Sequence, residues 1–326
     1  MIYESGEIMH KTSEIESEIS KKSKYKNLYF HYGGDILHKK IQPAYLKMLL
    51  DFDKICKENN IFYLITAGTL LGAVREHGWI PWDDDIDILV WHNDFKKIGI
   101  AIEKSGMSDK YQYIHPENSS IVTVDGKFMS KNVSLGSLMG DMGIGHPLYM
   151  DILPIENVPD NKVFREIKSL FSRVLMLSYN SLRCLKENDE LLDIMSRDSI
   201  ELRNNLRIRR FAAIPARLLG QKRTFKLLQF VNSYPSKNTK AVSVPLGVKM
   251  YKGEIVSRSV FAQSTSLSFE GHLFPGPIGY KEYLSNRYGN DYMTPPPKNE
   301  QGIKCFQKRA DWKKIYLDDR RKRCEK

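Results

Sequence analysis

The most constraining feature of this sequence is a run of carboxylates that leads directly into an apolar segment. Residues 66–91 (TAGTLLGAVREHGWIPWDDDIDILVW) hold Asp83, Asp84, Asp85 and Asp87, followed at once by the apolar run ILV. Because successive side chains of a strand point to opposite faces, Asp83, Asp85 and Asp87 are expected to share one face of a strand. Three carboxylates on one face repel each other unless a cation lies among them. The pattern therefore predicts a site for a hard divalent ion, Mg²⁺ or Mn²⁺.

The segment before the carboxylates predicts a second half of the same site. Residues 61–66 (IFYLIT) are apolar and β-branched, as in a buried strand, and Ala67 and Gly68 interrupt them. Residues 69–76 then have helical spacing, with Thr69 near the N-cap. A Gly-Thr turn at a helix start presents backbone N–H groups and a hydroxyl to an anion, and the helix dipole favours a phosphate there. This turn is therefore predicted to bind phosphate beside the metal.

These stretches resemble the signature of the nucleotidyltransferase fold, a Gly-Thr or Gly-Ser turn followed by a strand of alternating acidic and apolar residues. Residues 68–75 (GTLLGAVR) and 79–87 (WIPWDDDID) closely resemble the LicD family, which includes bacterial phosphocholine transferases and fukutin-related ribitol-phosphate transferases. Residues 149–154 (YMDILP) resemble the later acid-containing strand of that family, and residues 269–297 resemble its closing motif. The likeness spans roughly residues 41–297.

The closing motif departs from the family pattern in one place. The sequence has Asn290 between Gly289 and Asp291, where Gly-Asp is usual. The preceding residues, which include Tyr283 and Arg287, follow the pattern of the family.

The predicted fold class is α+β, with a nucleotidyltransferase-like mixed sheet covered by helices, because helical and strand patterns mix along the chain with several strands in succession. The predicted helices are residues 41–60, 69–76, 94–104 with Asn93 as N-cap, and several over 162–230. The predicted strands are residues 61–66, the acidic segment, 111–115, 120–124, 147–155 and 242–251, with a turn at Asp125-Gly126. The predicted divisions are a polar tail (1–30), a catalytic core (31–160), a basic helical insertion (161–235), the C-terminal part of the family domain (236–300) and a basic tail (301–326).

The reaction that the resemblance implies moves a phospho-alcohol group from a CDP-linked donor, such as CDP-choline or a CDP-alditol, to a glycan hydroxyl. The acceptor would be lipopolysaccharide, teichoic acid or capsule, and CMP would be released. Catalysis of phosphoryl transfer depends mainly on positioning and charge neutralisation by metals. The predicted metal ligands are Asp83, Asp85 and Asp87. Asp151 is a candidate general base for the acceptor hydroxyl, or else a third metal ligand.

The predicted contacts to the donor phosphates are Gly68, Thr69 and Arg75. For Arg75, an exposed helix cation is an equally good interpretation of the residue type alone. Asp151 lies between Met150 and Ile152, where a buried, unpaired carboxylate would not be tolerated, so a partner for it is expected.

The segment after the core is unusually basic. From Leu202 to Lys226 there is no acidic residue. The eight basic residues of this segment are Arg203, Arg207, Arg209, Arg210, Arg217, Lys222, Arg223 and Lys226. A solvated helical face is one interpretation; the other is a surface for anionic lipid or a polyanionic acceptor. The net charge of +11 favours attraction to some polyanion.

Several classes of protein are disfavoured. The four cysteines are far apart and form no CxxC pair, so neither a zinc motif nor a disulfide framework is predicted. Residues 1–24 lack the apolar centre of a signal peptide, and no apolar run approaches the length of a membrane-spanning helix. A cytoplasmic enzyme, peripheral at the inner face of the membrane, is the expectation.

Two other functions remain open from the sequence. One is a nucleotidyltransferase that uses a nucleoside triphosphate on a small molecule or RNA. The other is a non-catalytic, basic nucleic-acid-binding protein. The intact acidic cluster argues against the second of these, and nucleic acid is not the expected partner.

Overall fold

The computed structural model describes residues 40–117, 123–134, 147–198 and 200–297. The predicted tails, 1–30 and 301–326, and most of the predicted strand 120–124 lie outside the described residues.

The described part of the chain contains both helices and strands, arranged around one main sheet. The helices are α1 (Gln42–Glu58), α2 (Ala67–Arg75), α3 (His92–Phe95), α4 (Ile98–Lys104), α5 (Lys162–Asp198), α6 (Ile200–Ala212), α7 (Ile214–Leu219), α8 (Gln221–Ser233), α9 (Met250–Gly253) and α10 (Tyr280–Tyr288). The strands are β1 (Tyr63–Ile65), β2 (Asp87–Trp91), β3 (Tyr111–Ile114), β4 (Gly126–Ser134), β5 (Pro147–Val158), β6 (Ala241–Ser243), β7 (Val256–Ser257), β8 (Ser264–Phe269) and β9 (His272–Pro277).

The main sheet has seven strands and mixed direction. Its central order is β1-β2-β5-β4-β3, and β6 joins the later part of β5 and pairs with β7. Strands β2 and β5 are parallel, and the other pairs are antiparallel. Strands β8 and β9 form a separate hairpin. The α+β prediction is confirmed.

One large apolar core holds the sheet and its covering elements together. The middle of β2, Ile88–Val90, is fully buried, as expected of a continuous apolar run in a central strand. Helix α1 buries Tyr45, Leu49 and Phe52 on the face that the helical spacing predicted. The same core includes residues from Val242 to Leu284, so the C-terminal segment packs with the first part of the chain.

The predicted strand through the acidic run begins later than expected. Strand β2 starts at Asp87, and residues 83–86 lie outside it. The backbone of Asp83 is used in other bonds, because its N–H donates to the Ile80 carbonyl (2.9 Å) and its carbonyl accepts from Gln42 Nε2 (3.0 Å). The prediction that Asp83 and Asp85 belong to this strand and share a face with Asp87 was therefore wrong.

Three other boundaries differ from prediction. The helix predicted over residues 94–104 is two helices, α3 and α4, and Asn93 lies inside α3 instead of capping a helix. The predicted turn at Gly126 is the start of β4, where a Cβ atom would lie 2.3 Å from the Tyr113 hydroxyl, so only glycine allows this close approach. Of the predicted strand 242–251, only its first residues belong to β6, because Pro245 and Gly247 follow.

The helices predicted over residues 162–230 are present as α5 to α8. Helix α5 has 37 residues, about 55 Å of helix, and packs against α6, α7, α8 and α9. Its start is fixed by Lys168, a buried lysine whose Nζ donates to the carbonyls of Asn157, Asn232 (2.7 Å) and Tyr234 (2.6 Å). This one ammonium group therefore links the end of β5, the end of α8 and the first turns of α5.

Candidate active site

The pairing of β2 with β5 brings the two predicted acidic motifs together. Asp87 lies opposite Asp151 in the parallel register, and the Asp151 N–H donates to the Ile86 carbonyl (3.0 Å). Residues paired in this way present their side chains on the same face of the sheet. The expectation that Asp151 belongs beside the first motif therefore agrees with the register.

The remaining carboxylates form a compact cluster just before β2. Asp83, Asp84 and Asp85 each offer a carboxylate oxygen, and these oxygens all lie within 4.8 Å of one another. The sequence pattern had set Asp84 apart because it assumed strand alternation. Outside a strand that alternation does not apply, so Asp84, which is 1% exposed, joins the group. Asp87 lies near enough that the Asp85 and Asp83 charges act on its pKa.

The electrostatics of this cluster call for a cation. Burial raises the pKa of Asp87, and the charges of Asp85 and Asp151 raise it further. Burial likewise raises the pKa of Asp151 to about 7, with a further contribution from Asp125. These shifts have the sign expected for carboxylates crowded together without enough positive charge. An all-oxygen donor set fits Mg²⁺ or Mn²⁺, and a bound divalent cation would favour the ionised form of each carboxylate.

Lys127 is a site residue that the sequence analysis missed. It lies opposite Asp151 in the antiparallel pairing of β4 with β5. Its Nζ donates to Asp151 Oδ1 and to Asp125 Oδ2 (3.0 Å), and it lies 4.6 Å from the centre of the Tyr149 ring. Burial lowers the pKa of Lys127, but the charges of Asp125 and Asp151 raise it by more, so the ammonium form is retained. Only the β4–β5 register, which is not a local property of the sequence, identifies this partner of Asp151.

The predicted phosphate-binding turn lies directly against the acids. Gly68 is so close to Asp83 that a Cβ atom would lie 2.2 Å from Asp83 Oδ2. Thr69 is buried, and its Oγ1 accepts the Asp87 N–H (3.1 Å), so this hydroxyl holds the start of β2. Helix α2 begins at Ala67, which has φ 48, and not at Thr69. The first N–H groups of the helix have no partner within it and lie beside the cluster.

Two arginines differ in their relation to the cluster. Arg75 donates to Glu76 Oε1 (2.8 Å) and to the Tyr292 carbonyl (3.2 Å), and it lies 6.0 Å from the Trp82 ring. Arg287, on α10, donates to the buried Glu254 (2.9 Å), and its charge lowers the pKa of Asp87. Arg287 is thus a cation near the acids that the sequence analysis did not select, although it lies within the closing motif.

The closing motif contacts the first motif at several points. Tyr283 and Thr66 share a hydrogen bond between their hydroxyls (2.9 Å). Glu270 accepts the Trp79 N–H (3.0 Å), and the Trp79 and Phe269 rings are 5.2 Å apart. The segments that carried the resemblance therefore pack against each other beside the site.

A buried phenol also faces the cluster. Tyr45, on α1, has no exposed surface, and its hydroxyl has no hydrogen-bond partner among the described residues. Burial raises the pKa of Tyr45, and the charges of Asp85, Tyr149 and Asp84 add to that shift. The helical spacing predicted that Tyr45 is buried, but not what its hydroxyl faces.

None of the helices in the described ranges is both long enough and apolar enough to cross a membrane.

Comparison with known proteins agrees with the site. Residues 60–163 match the family model described as LicD/FKTN/FKRP, nucleotidyltransferase domain, and this range contains Asp83, Asp84, Asp85, Asp87 and Asp151. The chain is 26% identical over 267 residues to lipopolysaccharide cholinephosphotransferase LicD of Haemophilus influenzae. The aligned region covers 80% of this chain and 92% of that protein.

Two shorter matches are to uncharacterised proteins of Rickettsia. One, from Rickettsia typhi, is 41% identical over 78 residues, which are 21% of this chain and 25% of that protein. The other, from Rickettsia prowazekii, is 50% identical over 69 residues, or 20% of this chain and 26% of that protein. With the matching domain, the relative along most of its length and the acidic site in place, residues 60–163 form a nucleotidyltransferase domain of the LicD/FKTN/FKRP type.

Proposed function

We propose that this protein is a metal-dependent phosphotransferase that moves phosphocholine or an alditol phosphate from a CDP-linked donor to a hydroxyl of a cell-surface glycan. The observation that carries the proposal is the meeting of Asp87 and Asp151 beside the Asp83–Asp85 cluster. The similarity to a lipopolysaccharide cholinephosphotransferase supports phosphocholine as the group and lipopolysaccharide as the acceptor. Teichoic acid and capsule are the other acceptors of the same chemistry.

The carboxylates Asp83, Asp85 and Asp87 are the proposed ligands of Mg²⁺ or Mn²⁺, and Asp84 joins them on the basis of its position. When bound, the ion neutralises the donor phosphates and the charge that develops as the phosphorus–oxygen bond breaks. Arg287 and Lys127 add fixed positive charge near the acids.

The start of α2 is the proposed cradle for the donor phosphates. The N–H groups of Gly68 and Thr69 belong to the first turn of the helix, where an anion is favoured. The absence of a side chain at Gly68 is what allows the backbone to approach Asp83. Arg75 lies at the other end of the same helix, and its contact with Trp82 is consistent with a role in holding the acidic segment.

Asp151 is proposed to act on the acceptor hydroxyl. In the transfer, the acceptor oxygen bonds to the phosphorus of the phospho-alcohol, the bond to the CMP oxygen breaks, and the hydroxyl proton passes to the Asp151 carboxylate. Without metal, burial raises the pKa of Asp151 to about 7, and a bound cation would favour the ionised carboxylate, which is the form that accepts a proton. The other role that its position allows is that of a further metal ligand.

The proposed location is the cytoplasm, with peripheral contact at the inner face of the membrane. The basic segment Arg203–Lys226 supports this location, because several cations together strengthen attachment to anionic headgroups.

The test is a donor screen with purified protein. CDP-choline, CDP-ribitol, CDP-glycerol and nucleoside triphosphates are compared by thermal unfolding with Mg²⁺ and with a chelator, because a donor that binds the folded state raises the melting temperature. The proposal expects a metal-dependent shift with one CDP-alcohol, and release of CMP when a glycan acceptor is added. Release of pyrophosphate from a triphosphate would instead identify a nucleotidyltransferase.

The two roles of Asp151 are separated by Asp151→Asn. If Asp151 is the base, the variant keeps the Mg²⁺-dependent thermal shift with the donor and loses turnover. If it is a metal ligand, the variant loses both. Asp109→Asn, in the segment between α4 and β3, is the matched control and is expected to change neither measurement.

A further inference from the structure

The helical region beside the core exposes an unusual amount of apolar surface. Fourteen of the twenty exposed large apolar side chains in the described residues lie between Lys162 and Tyr234. Single exposed apolar residues need no explanation, but a concentration of them indicates an interaction surface.

The first half of α5 shows how this surface arises. Val163, Ile167, Leu170 and Val174 recur at helical spacing and are between 45% and 66% exposed. The same face continues along the helix into Leu182 and Leu185, which are buried under α6 and α7. One continuous apolar stripe is therefore covered in its second half and uncovered in its first.

Helix α7 ends beside the boundary between the covered and uncovered halves. The Ala216 N–H donates to Ser178 Oγ (3.1 Å), and Ser178 is one helical turn beyond Val174. Leu218, two residues after Ala216 on α7, is 81% exposed. Helix α7 thus carries an exposed leucine two residues beyond its contact with α5.

Helix α8 extends the surface on the side of α5. It packs against α5 through Phe225 on Tyr179 and through Leu228 on Leu175. Its outer face carries the exposed Phe230.

The charge around the uncovered part of this surface is mainly positive. Residues 202–253 contain twelve basic residues and no acidic residue. In the first half of α5 the one acidic residue is Glu166, which is paired with Lys252 (2.8 Å). The exposed apolar side chains are therefore surrounded by positive charge.

We infer that the exposed face of α5, α7 and α8 docks on an anionic lipid bilayer. Cations interleaved with exposed leucine and phenylalanine match a surface that offers anionic headgroups over an apolar phase. Nucleic acid matches the cations but offers no apolar phase for aliphatic side chains. A second copy of the chain would match the apolar residues but would bring like charges together.

The surface is connected to the candidate site through a short series of bonds. The Tyr179 hydroxyl donates to the Thr123 carbonyl (2.8 Å), and the Thr123 hydroxyl donates to Asp125. Asp125 in turn accepts from Lys127, the partner of Asp151. The exposed face of α5, α7 and α8 extends the membrane contact proposed for Arg203–Lys226, and its binding to lipid does not depend on the transferase activity.

The test is flotation of the full chain with vesicles of phosphatidylcholine alone and of phosphatidylcholine mixed with phosphatidylglycerol, at low and high salt. We expect binding to the mixed vesicles and little to the neutral ones. Replacing Arg217, Lys222 and Lys226 with alanine should weaken binding about a hundredfold, because each cation near an anionic surface contributes roughly a factor of five. The matched control replaces the exposed Lys54, Lys57 and Lys97 with alanine and should leave binding unchanged.

The apolar part is tested with Leu170→Glu combined with Leu218→Glu, against Ile100→Glu, an exposed site on α4. The double variant should float poorly and the control normally, with thermal unfolding as the check on folding. If the double variant does not fold, Leu218→Glu alone serves.

The inference is overturned if the unmodified chain does not float with anionic vesicles at low salt. It is equally overturned if the leucine variants bind as the unmodified chain does, since attachment would then be electrostatic only. Sedimentation gives a third outcome: a stable dimer that the double variant dissociates, with no change in flotation, would assign the face to self-association.

Discussion

The acidic centre and the helical layer of this protein are built in opposite ways. Around β2 and β5, partly buried carboxylates lie beside a single large apolar core, with few cations among them. In α5 to α8, cations and apolar side chains are exposed together, and the described apolar contacts form small separate clusters. The first arrangement gathers negative charge that a bound cation would offset, and the second exposes positive charge and apolar side chains to solvent.

Charged and apolar residues therefore contribute to stability differently in the two regions. In the centre, packing fixes the carboxylates in place even though their mutual repulsion is unfavourable. In the helical layer, the described apolar clusters are small. The buried Lys168 connects α5 to the neighbouring segments through hydrogen bonds. Substitutions in the two regions should therefore separate activity from stability.

The largest expected effect is on activity, from Asp87→Asn. The amide keeps the shape of the side chain but removes a charge from the proposed metal site, so turnover should fall by about a thousandfold. The free energy of unfolding without metal should not fall, because repulsion from Asp85 and Asp151 is removed. The measurements are CMP release and denaturant unfolding in chelator, with Asp94→Asn as the control. A marked loss of stability would contradict the proposed difference between the two regions, since Asp87 would then be needed by the fold itself.

The next effect is on stability, from Lys168→Met. The substitution leaves the carbonyls of Asn157, Asn232 and Tyr234 without their buried donor, so the free energy of unfolding should fall by about 3 kcal/mol or more. Lys252→Met, at an exposed ion pair with Glu166, should change it by about 0.5 kcal/mol or less. Urea unfolding measures both. Equal effects of the two variants would show that the layer is held by its apolar clusters alone.

A smaller effect is expected from Tyr283→Phe. This variant removes the hydroxyl that pairs with Thr66 at the start of α2, and one buried hydrogen bond contributes about 1 kcal/mol. Because α10 then holds the turn less firmly, turnover should also fall, though far less than in Asp87→Asn. Tyr280→Phe on the same helix is the matched control. No change in either quantity would mean that the closing motif does not position the turn.

The smallest effect is expected from Tyr45→Phe. The hydroxyl is buried with no partner among the described residues, so its removal should change the free energy of unfolding by about 0.5 kcal/mol or less, or raise it. Thermal unfolding with and without Mg²⁺ measures this. If the Mg²⁺-dependent shift disappears while the metal-free stability is kept, the hydroxyl takes part in the loaded site, and the boundary of the acidic centre must be extended to α1.

Much of the acidic centre could be predicted from local pattern. The spacing of Tyr45, Leu49 and Phe52 gave the buried face of α1, and the apolar run after Asp87 gave a central strand. The helices after residue 161 were also predicted. The predicted start of β2 was wrong because the backbone of Asp83 bonds to Ile80 and Gln42 instead of pairing in the sheet. The alternation of apolar and polar residues in the sequence does not show such bonds.

The α+β class, the acidic motif with its glycine turn, and the resemblance to the family could be predicted from the sequence, because they depend on residues close together in the chain. The tertiary structure was needed to show that Asp84 joins the cluster, that Lys127 pairs with Asp151, and that Arg287 acts on Asp87. It also decided that half of an apolar stripe on α5 stays uncovered. The reason is physical: periodicity shows which face of an element is apolar, but what meets that face depends on strand register and helix packing between distant segments.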